Sequence, residues 1–341
     1  MNMDTSLVRE YWHLVGHRRE LSQHGDFVKF NTSAGDIVVF NDMGNIVAFD
    51  NKCAHRGALI YQEDYGNQSN TCKYHGWSFS GGRLHISNQD QFLGCNIGAA
   101  SLNFYQVDWC GDFIFVGIEP KTSLYDQLGN VAVDLENISF NIDARADFNR
   151  YKYECYWPIA VENALEPYHI DLIHPNTLAK LKLSPGENTF DGVNSVWRTD
   201  VGSEKIKRQL SSIKKYFNID YQYEGYISIY LFPFSMISST FGYSYSLQNF
   251  MPGIDSASFT NFTSRLYTAN RASVTSPGLL DAFFESTSKV NRLVFDEDHQ
   301  ICKLMPKDSW SSDPLHYCSK LEEKITHFRT SYRNHFSQLQ V

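Results

Sequence analysis

Two short stretches constrain this chain more than anything else in it: CAHRG at residues 53–57 and CKYHG at 72–76. Each sets a thiol and an imidazole, Cys53 with His55 and Cys72 with His75, inside a single turn. Only sixteen residues separate the two pairs. Soft thiolates and imidazoles at such spacing are metal donors, so whatever fold the chain adopts must bring two loops face to face. Structural zinc sites usually pair Cys with Cys and His with His. Here each loop mixes the two, an order that argues against zinc.

Mixed loops suit a different job. When two His replace two Cys on one iron of a [2Fe–2S] cluster, neutral ligands replace anionic ones and the potential rises to roughly −150 to +300 mV. The pattern C-x-H-x16-C-x2-H fits this Rieske arrangement, with one Cys and one His from each loop. A ligating His keeps a second ring nitrogen able to donate a hydrogen bond, so His75 has one to give. Gly57 and Gly76 are expected to let each loop close over the cluster, because glycine imposes no Cβ.

An electron carrier needs a consumer, and ENALEPYHIDLIHP (162–175) is the candidate. Two His and one carboxylate on one face of an iron leave positions open for O2. His169 and His174 are five residues apart, about 140° around a regular helix, and cannot share a metal unless the helix ends or distorts. Pro167 supplies the cause, lacking an N–H and clashing with the preceding turn. A third, carboxylate ligand must come from downstream, where LVFDEDHQICKLM offers Asp296, Glu297 and Asp298. A helical wheel centres Glu297 on the apolar face formed by Val290, Leu293, Val294, Ile301 and Leu304, puts Asp298 at its edge and Asp296 opposite.

The rest of the chain frames these motifs. At 341 residues it is long enough for two domains. The stretches FVKF, DIVVF and IVAF, with NDMGN as a turn, then WSF, a Gly81-Gly82 turn and RLH, read as short strands. GDFIFVGI closes a first, all-β domain over 1–119 that carries both Cys/His loops. Beyond a connector at KTSLYDQLGN, YKYECYW reads as a strand, and YISIYLFPFSMISST, YSYSLQNFMP and FTNFTSRLY as long strands of an antiparallel sheet. Gly278 to Leu304 has helical periodicity, and a charged helix follows. The second domain, 120–341, is thus expected to be α+β, a curved sheet with helices on one side. Tyr223, Tyr226, Tyr230, Tyr243 and Tyr245 lie in or beside its strands, where a cation–π cage is one use and sheet core the commoner one.

Net charge of −8, a pI near 5.8 and the lack of a basic block give no electrostatic footprint for nucleic acid. Apolar runs such as FIFVGI are far too short to span a bilayer, and MNMDTSLVREYW lacks a leader-like apolar core. Seven scattered cysteines, at 53, 72, 95, 110, 155, 302 and 318, fit reduced thiols in a cytoplasm better than a disulfide framework.

CAHRG followed by CKYHGW resembles the Rieske motif of the Rieske non-haem iron oxygenases, and the loops lack the additional cysteines usual in respiratory Rieske proteins. The segment around His169 is similar to the same family's iron-binding pattern: Asn, an acid three later, His three later, His five later. The resemblance implies a Rieske domain followed by a helix-grip catalytic domain. It implies a [2Fe–2S] cluster on Cys53, His55, Cys72 and His75, and a mononuclear Fe(II) on His169, His174 and a downstream acid. An acid three residues before an aliphatic one selects Asp298, ahead of Ile301, with Glu297 in reserve. Glu166 takes the place of the acid that bridges an iron-ligand His to a Rieske His of the neighbouring subunit, and Asn163 that of a nearby polar residue. Glu in place of the usual Asp resembles members that oxidise quaternary amines. The implied function is that of a terminal oxygenase hydroxylating an aromatic or other small organic substrate, with monooxygenation or demethylation of a methylated substrate as the alternative. A non-catalytic electron carrier is the reading of another class. Implied partners are a reductase or ferredoxin passing on electrons from NAD(P)H, O2, a small-molecule substrate and two further copies of the chain in a head-to-tail trimer. No G-x-G-x-x-G is present, which places NAD(P)H oxidation on another protein.

Overall fold

Short apolar runs bounded by turn residues dominate the first third of the chain, and they fold there as an antiparallel sheet. The structure, a computed structural model, describes residues 3–337 except 93, 95, 222, 254–258 and 274–275; Cys95 lies outside the described residues. Helix α1 (Met3–Glu10) leads into β1 (Trp12–His17), followed by a meander of β2 (Asp26–Thr32), β3 (Gly35–Asp42) and β4 (Asn45–Asp50). The NDMGN turn closes between Asp42 and Asn45, with both Met43 and Gly44 at positive φ (55° and 91°), the twist-matching hairpin geometry. Short strands β5 (Tyr65–Asn67), β6 (Ser78–Ser80) and β7 (Arg83–His85) precede β8 (Phe104–Cys110) and β9 (Phe113–Gly117). Among the described residues the sheet order is β1-β9-β8-β4-β3-β2-β5, with β6 and β7 as a separate hairpin. Phe27, Phe40, Phe49, Tyr61 and Trp77 fill the core beneath the two Cys/His loops.

Helices α2 (Leu124–Leu128) and α3 (Val131–Phe140) lead to the long strand β10 (Ile142–Tyr153). Then come α4 (Trp157–Leu165), α5 (Ile170–Ile173), β11 (Glu187–Asp191), β12 (Asn194–Thr199) and α6 (Glu204–Ile213). The run YISIYLFPFSMISST, expected as one strand, is two: β13 (Tyr226–Leu231) and β14 (Ser235–Thr240). Pro233 cannot donate to a ladder, and the chain reverses there with the Tyr230 hydroxyl donating to the Pro233 carbonyl (2.7 Å). Strands β15 (Ser244–Pro252) and β16 (Thr260–Ala269) complete an antiparallel sheet of order β10-β16-β15-β14-β13-β12-β11. Helices α7 (Pro277–Cys302) and α8 (Glu323–Ser337) follow, and the architecture is α+β.

The second sheet has two unlike faces. Its back, with Ile227, Ile229, Ile237 and Leu247, packs against α2 and α3. Its front, through Tyr230, Phe250 and Phe262, packs against α4, α7 and α8 through Trp157, Phe295 and Phe328. That second core also takes in Val15, Val28 and Val39 of the first domain, so the two sheets share packing.

A buried ion cluster ties the domains further. Glu20, just after β1, faces Arg145 on β10 and Arg265 on β16 (3.4 Å), and accepts from the Tyr267 hydroxyl (2.7 Å). Burial alone would raise the Glu20 pKa, but Arg265, Arg145 and the Tyr267 hydrogen bond outweigh it and hold the carboxyl below its ordinary value. Its contribution is therefore complete above the ordinary glutamate value of 4.5 and is lost as the pH falls through the lower folded value. Glu20→Ala is expected to lower unfolding free energy at neutral pH by about 3–5 kcal/mol, since it strands buried guanidinium charge. Denaturant titrations across the acid range should find the variant's stability flatter than that of the parent below that pH.

Candidate metal centres and the cavity beside them

Helix α4 stops where a proline dictates. The residue before a proline is pushed out of the helical region, and Glu166 is extended (φ −118°, ψ 139°) ahead of Pro167. One turn, α5, then forms between His169 as its N-cap and His174 as its C-cap. The break allows the two imidazoles to converge, their Nε2 atoms 3.2 Å apart. Asp298 of α7 closes the group, its Oδ1 3.0 Å from His174 Nε2 and 3.6 Å from His169 Nε2. Among the described residues, His169, His174 and Asp298 are the group of three donors lying close enough to share one ion.

Each outer ring nitrogen is occupied, which fixes the inner one as a free donor atom. His169 Nδ1 lies 2.6 Å from Glu166 Oε1, and His174 Nδ1 lies 2.7 Å from Glu297 Oε2. Glu297 also accepts from the Thr177 hydroxyl (2.8 Å), and Asn163 Nδ2 donates to Asp298 Oδ1 (2.8 Å). Burial disfavours a charged His169, but Asp298 and Glu166 outweigh it and raise its pKa to about 9. Burial likewise acts against an ionised Asp298, yet the two imidazoles pull its pKa to about 2. Once a metal displaces the imidazole protons, two nitrogens and an ionised oxygen form the donor set of a divalent iron, so these residues fit one.

The wheel that centred Glu297 is corrected here. The buried stripe of α7 runs through Leu280, Phe284, Val294, Phe295 and Cys302, whereas Val290, Leu293 and Leu304 are exposed. Asp298 lies three residues from Phe295 and four from Cys302, on that stripe. Exposed Leu293 and Leu304 misled the wheel because it weighs hydrophobicity without knowing what each residue meets. Asp296 is exposed, as expected of a residue on the opposite side.

The two Cys/His loops are near-copies of each other. In each, the glycine four residues after the cysteine donates its N–H to the cysteine carbonyl: Gly57 to Cys53 at 2.9 Å, Gly76 to Cys72 at 3.0 Å. Both glycines take positive φ (75° and 72°), and no protein atom lies within 4 Å of where a Cβ would stand. The left-handed backbone conformation alone calls for glycine here. Cys53 and Cys72 are buried side by side, and backbone N–H groups of His55 and Arg56 point at the Cys53 sulfur. His55 Nδ1 and His75 Nδ1 are 3.1 Å apart; His55 stacks on buried Trp77, and exposed His75 on Tyr74. Thiols paired on one side and imidazoles on the other fit the two unlike ends of a Rieske cluster.

Comparison with known proteins assigns the chain. Residues 11–92 match the Rieske [2Fe-2S] domain, and 142–338, more than half of the chain, match the ring hydroxylating alpha subunit (catalytic domain). The chain belongs to the ring-hydroxylating alpha-subunit family. It is 30% identical over 183 residues to the glycine betaine monooxygenase oxygenase subunit of Chromohalobacter salexigens, covering 50% of this chain and 39% of that protein. It is 26% identical over 198 residues to the anthranilate 1,2-dioxygenase large subunit of Acinetobacter baylyi, covering 54% and 42%. The matches thus span less than half the length of these curated relatives. In fold the chain is similar to a quaternary ammonium Rieske monooxygenase (TM-score 0.78, 19% identity, covering 98% of this chain and 91% of that one). It is also similar to naphthalene 1,2-dioxygenase (TM-score 0.72, 17% identity, 97% and 88%). The cofactors of this family's two domains are a Rieske [2Fe–2S] cluster and a mononuclear iron. No described helix is long and apolar enough to cross a membrane.

Beside His169, His174 and Asp298 this alpha subunit encloses a cavity of about 520 Å³, between the front of the second sheet and helices α4 to α7. Of the five tyrosines considered for a cation cage, Tyr226 lines it, whereas Tyr230, Tyr243 and Tyr245 are buried in the cores. Beyond the metal-site residues and Tyr226, no cavity residue was singled out from the sequence. The available signal was the hydroxyl at every second position of YISIY (Tyr226, Ser228, Tyr230), followed by Ser238 and Thr240 on the next strand, which ordinarily marks a solvent face. Thr177 was missed as well, since only folding brings it to Glu297. Asp298→Ala is expected to lower iron content by one atom per chain while leaving the cluster's visible absorption intact. Glu297→Gln should keep that iron but bind it about 10–100-fold more weakly. Metal analysis with a chelator titration tells the two apart.

Proposed function

We propose that the chain is the terminal oxygenase component of a multicomponent Rieske system, hydroxylating a small organic substrate with O2. The observation that carries this reading is the convergence of His169, His174 and Asp298 at the wall of a cavity, which an electron carrier has no use for. In this reading Cys53, His55, Cys72 and His75 hold the Rieske cluster of a first domain over 1–119, and His169, His174 and Asp298 hold the iron of a second over 120–341. When bound, the cluster supplies single electrons, and the iron supplies a coordination site for O2 beside the substrate.

The chain's own residues do the rest. Glu166 holds His169 by its Nδ1 atom and is itself pinned, since its Oε2 accepts the backbone N–H groups of Tyr168 and His169. A carboxylate so fixed can also accept a hydrogen bond from the exposed imidazole of His75 on a neighbouring copy. That link is our reason for inferring a head-to-tail homotrimer, in which each cluster serves the iron of the next subunit. Glu297 and Thr177 hold His174 in the tautomer that leaves Nε2 free, and Asn163 orients Asp298. Electrons come from NAD(P)H through a separate reductase or ferredoxin, in a cytoplasmic setting that keeps the scattered thiols reduced.

Glu166→Ala is expected to retain all three irons per chain yet lose steady-state turnover by about 100-fold or more. Normal coupled turnover in that variant would remove Glu166 from the relay. A single turnover under labelled O2 tests the reaction itself: two labelled atoms in one product indicate ring dihydroxylation, and one atom or a lost methyl indicates monooxygenation. An iron content of two per chain would return the protein to the class of electron carriers.

A further inference from the structure

The floor of the cavity is unusual for a site in the middle of a protein. One row of cross-strand neighbours runs over five strands: Trp197, Ser228, Ser238, Ser246 and Leu266. All five line the cavity, with Gln248 one step along β15. The intervening residues, such as Ile227, Ile237 and Leu247, point into the core behind the sheet. The face carrying the three serines is therefore enclosed, although its sequence pattern is that of a solvent face.

The hydrogen bonding of this floor is incomplete. Ser228 donates to the weak acceptor Met236 Sδ (3.1 Å), and Ser238 bonds to the Tyr226 hydroxyl. The Ser246 hydroxyl has no partner among the described residues, although only 7% of the residue is exposed. The side-chain amide of Gln248, 8% exposed, has none among the described residues either. A buried polar group without a partner is costly, and Ser246 and Gln248 both line the space that a substrate would occupy.

Charge narrows the choice of occupant. The charged groups lining the cavity, apart from the two imidazoles, are the Glu166 and Asp298 carboxylates and Lys180, which is exposed at the rim. Among the described residues no arginine lines it and Lys180 is exposed, so a carboxylate buried at the serine floor would have no guanidinium to pair with. A quaternary ammonium has no hydrogen-bonding group and would leave Ser246 and Gln248 unpaired. The aromatic rings it would meet among the described residues are those of Trp197 and Tyr226, 5.7 Å apart, and Phe295.

We propose that this site takes an uncharged substrate carrying hydroxyl, carbonyl or amide groups that pair with Ser246 and Gln248 on the floor of the cavity. The proposal rests on the oxygenase reading and names its substrate class.

The test is equilibrium binding, by calorimetry at neutral pH, of three probes to the full, metal-loaded chain. All share a methoxyphenyl ring on a short chain, which ends in a carboxamide, a carboxylate or a trimethylammonium group. The carboxamide is expected to bind at least about tenfold more tightly than either charged probe, the size of one hydrogen bond gained in a dry pocket. Ser246→Ala and Gln248→Leu should each weaken the carboxamide by about tenfold and leave the charged probes where they were. Tighter or equal binding of a charged probe, no binding of the carboxamide, or unchanged affinity in both variants would overturn the proposal. The ranking on the parent protein needs no variant to fold. Iron content and labelled-oxygen incorporation are separate readouts. A failed ranking with three irons present rejects the polarity argument alone, whereas two irons per chain reject the oxygenase reading.

Discussion

Everything at the candidate iron site depends on where α4 ends. Had the helix continued, His169 and His174 would point about 140° apart and could not meet. Because Pro167 follows, Glu166 is extended and the chain restarts as a single turn with a histidine at each end. The same break frees Glu166 to curl back on the N–H groups of the next turn and hold His169 by its outer nitrogen. One local conformational constraint thus produces a converging pair of imidazoles and the carboxylate that orients one of them.

That local event is useful only because long-range packing supplies the other half of the site. Helix α7 crosses α4 with Phe295 and Cys302 buried, and this carries Asp298 to the imidazoles and Glu297 to His174. Two adjacent acids on one helix thereby acquire different jobs. Asp298 faces the inner nitrogens, while Glu297 reaches past them to the outer nitrogen of His174 and to Thr177. Elsewhere on α4, Glu162 makes a two-pronged pair with Arg329 of α8 (2.7 and 2.9 Å), which anchors the helix from behind.

The sheet in front of this site divides its labour by strand alternation. One set of side chains builds a core with α2 and α3, and the other is shared between an aromatic core near α8 and a hydroxyl-lined cavity floor. Since alternation has a period of two, small hydroxyls can be collected into one row without weakening the core behind. The cluster domain uses a different economy. Two loops of the same turn geometry, each closed by a glycine at positive φ, present their thiols together over an aromatic core, with imidazoles beside them.

What the amino-acid order determined by itself was local chemistry: ligand types, their spacing within each loop, the glycines that close the turns and the proline that stops α4. These act over a few residues through backbone conformation and donor identity, so they are legible without a fold. The strand-rich first domain and the antiparallel second sheet were legible for the same reason, from period-two patterns. Tertiary structure alone decided which face of α7 is buried, and hence that Asp298 faces the inner nitrogens of the two imidazoles while Glu297 reaches the outer nitrogen of His174. It also decided that Tyr226 reaches the cavity while three of the other tyrosines are buried in the cores, and that a row of serines is enclosed rather than solvated. Each of these depends on what a side chain meets across the molecule, which no window of sequence contains.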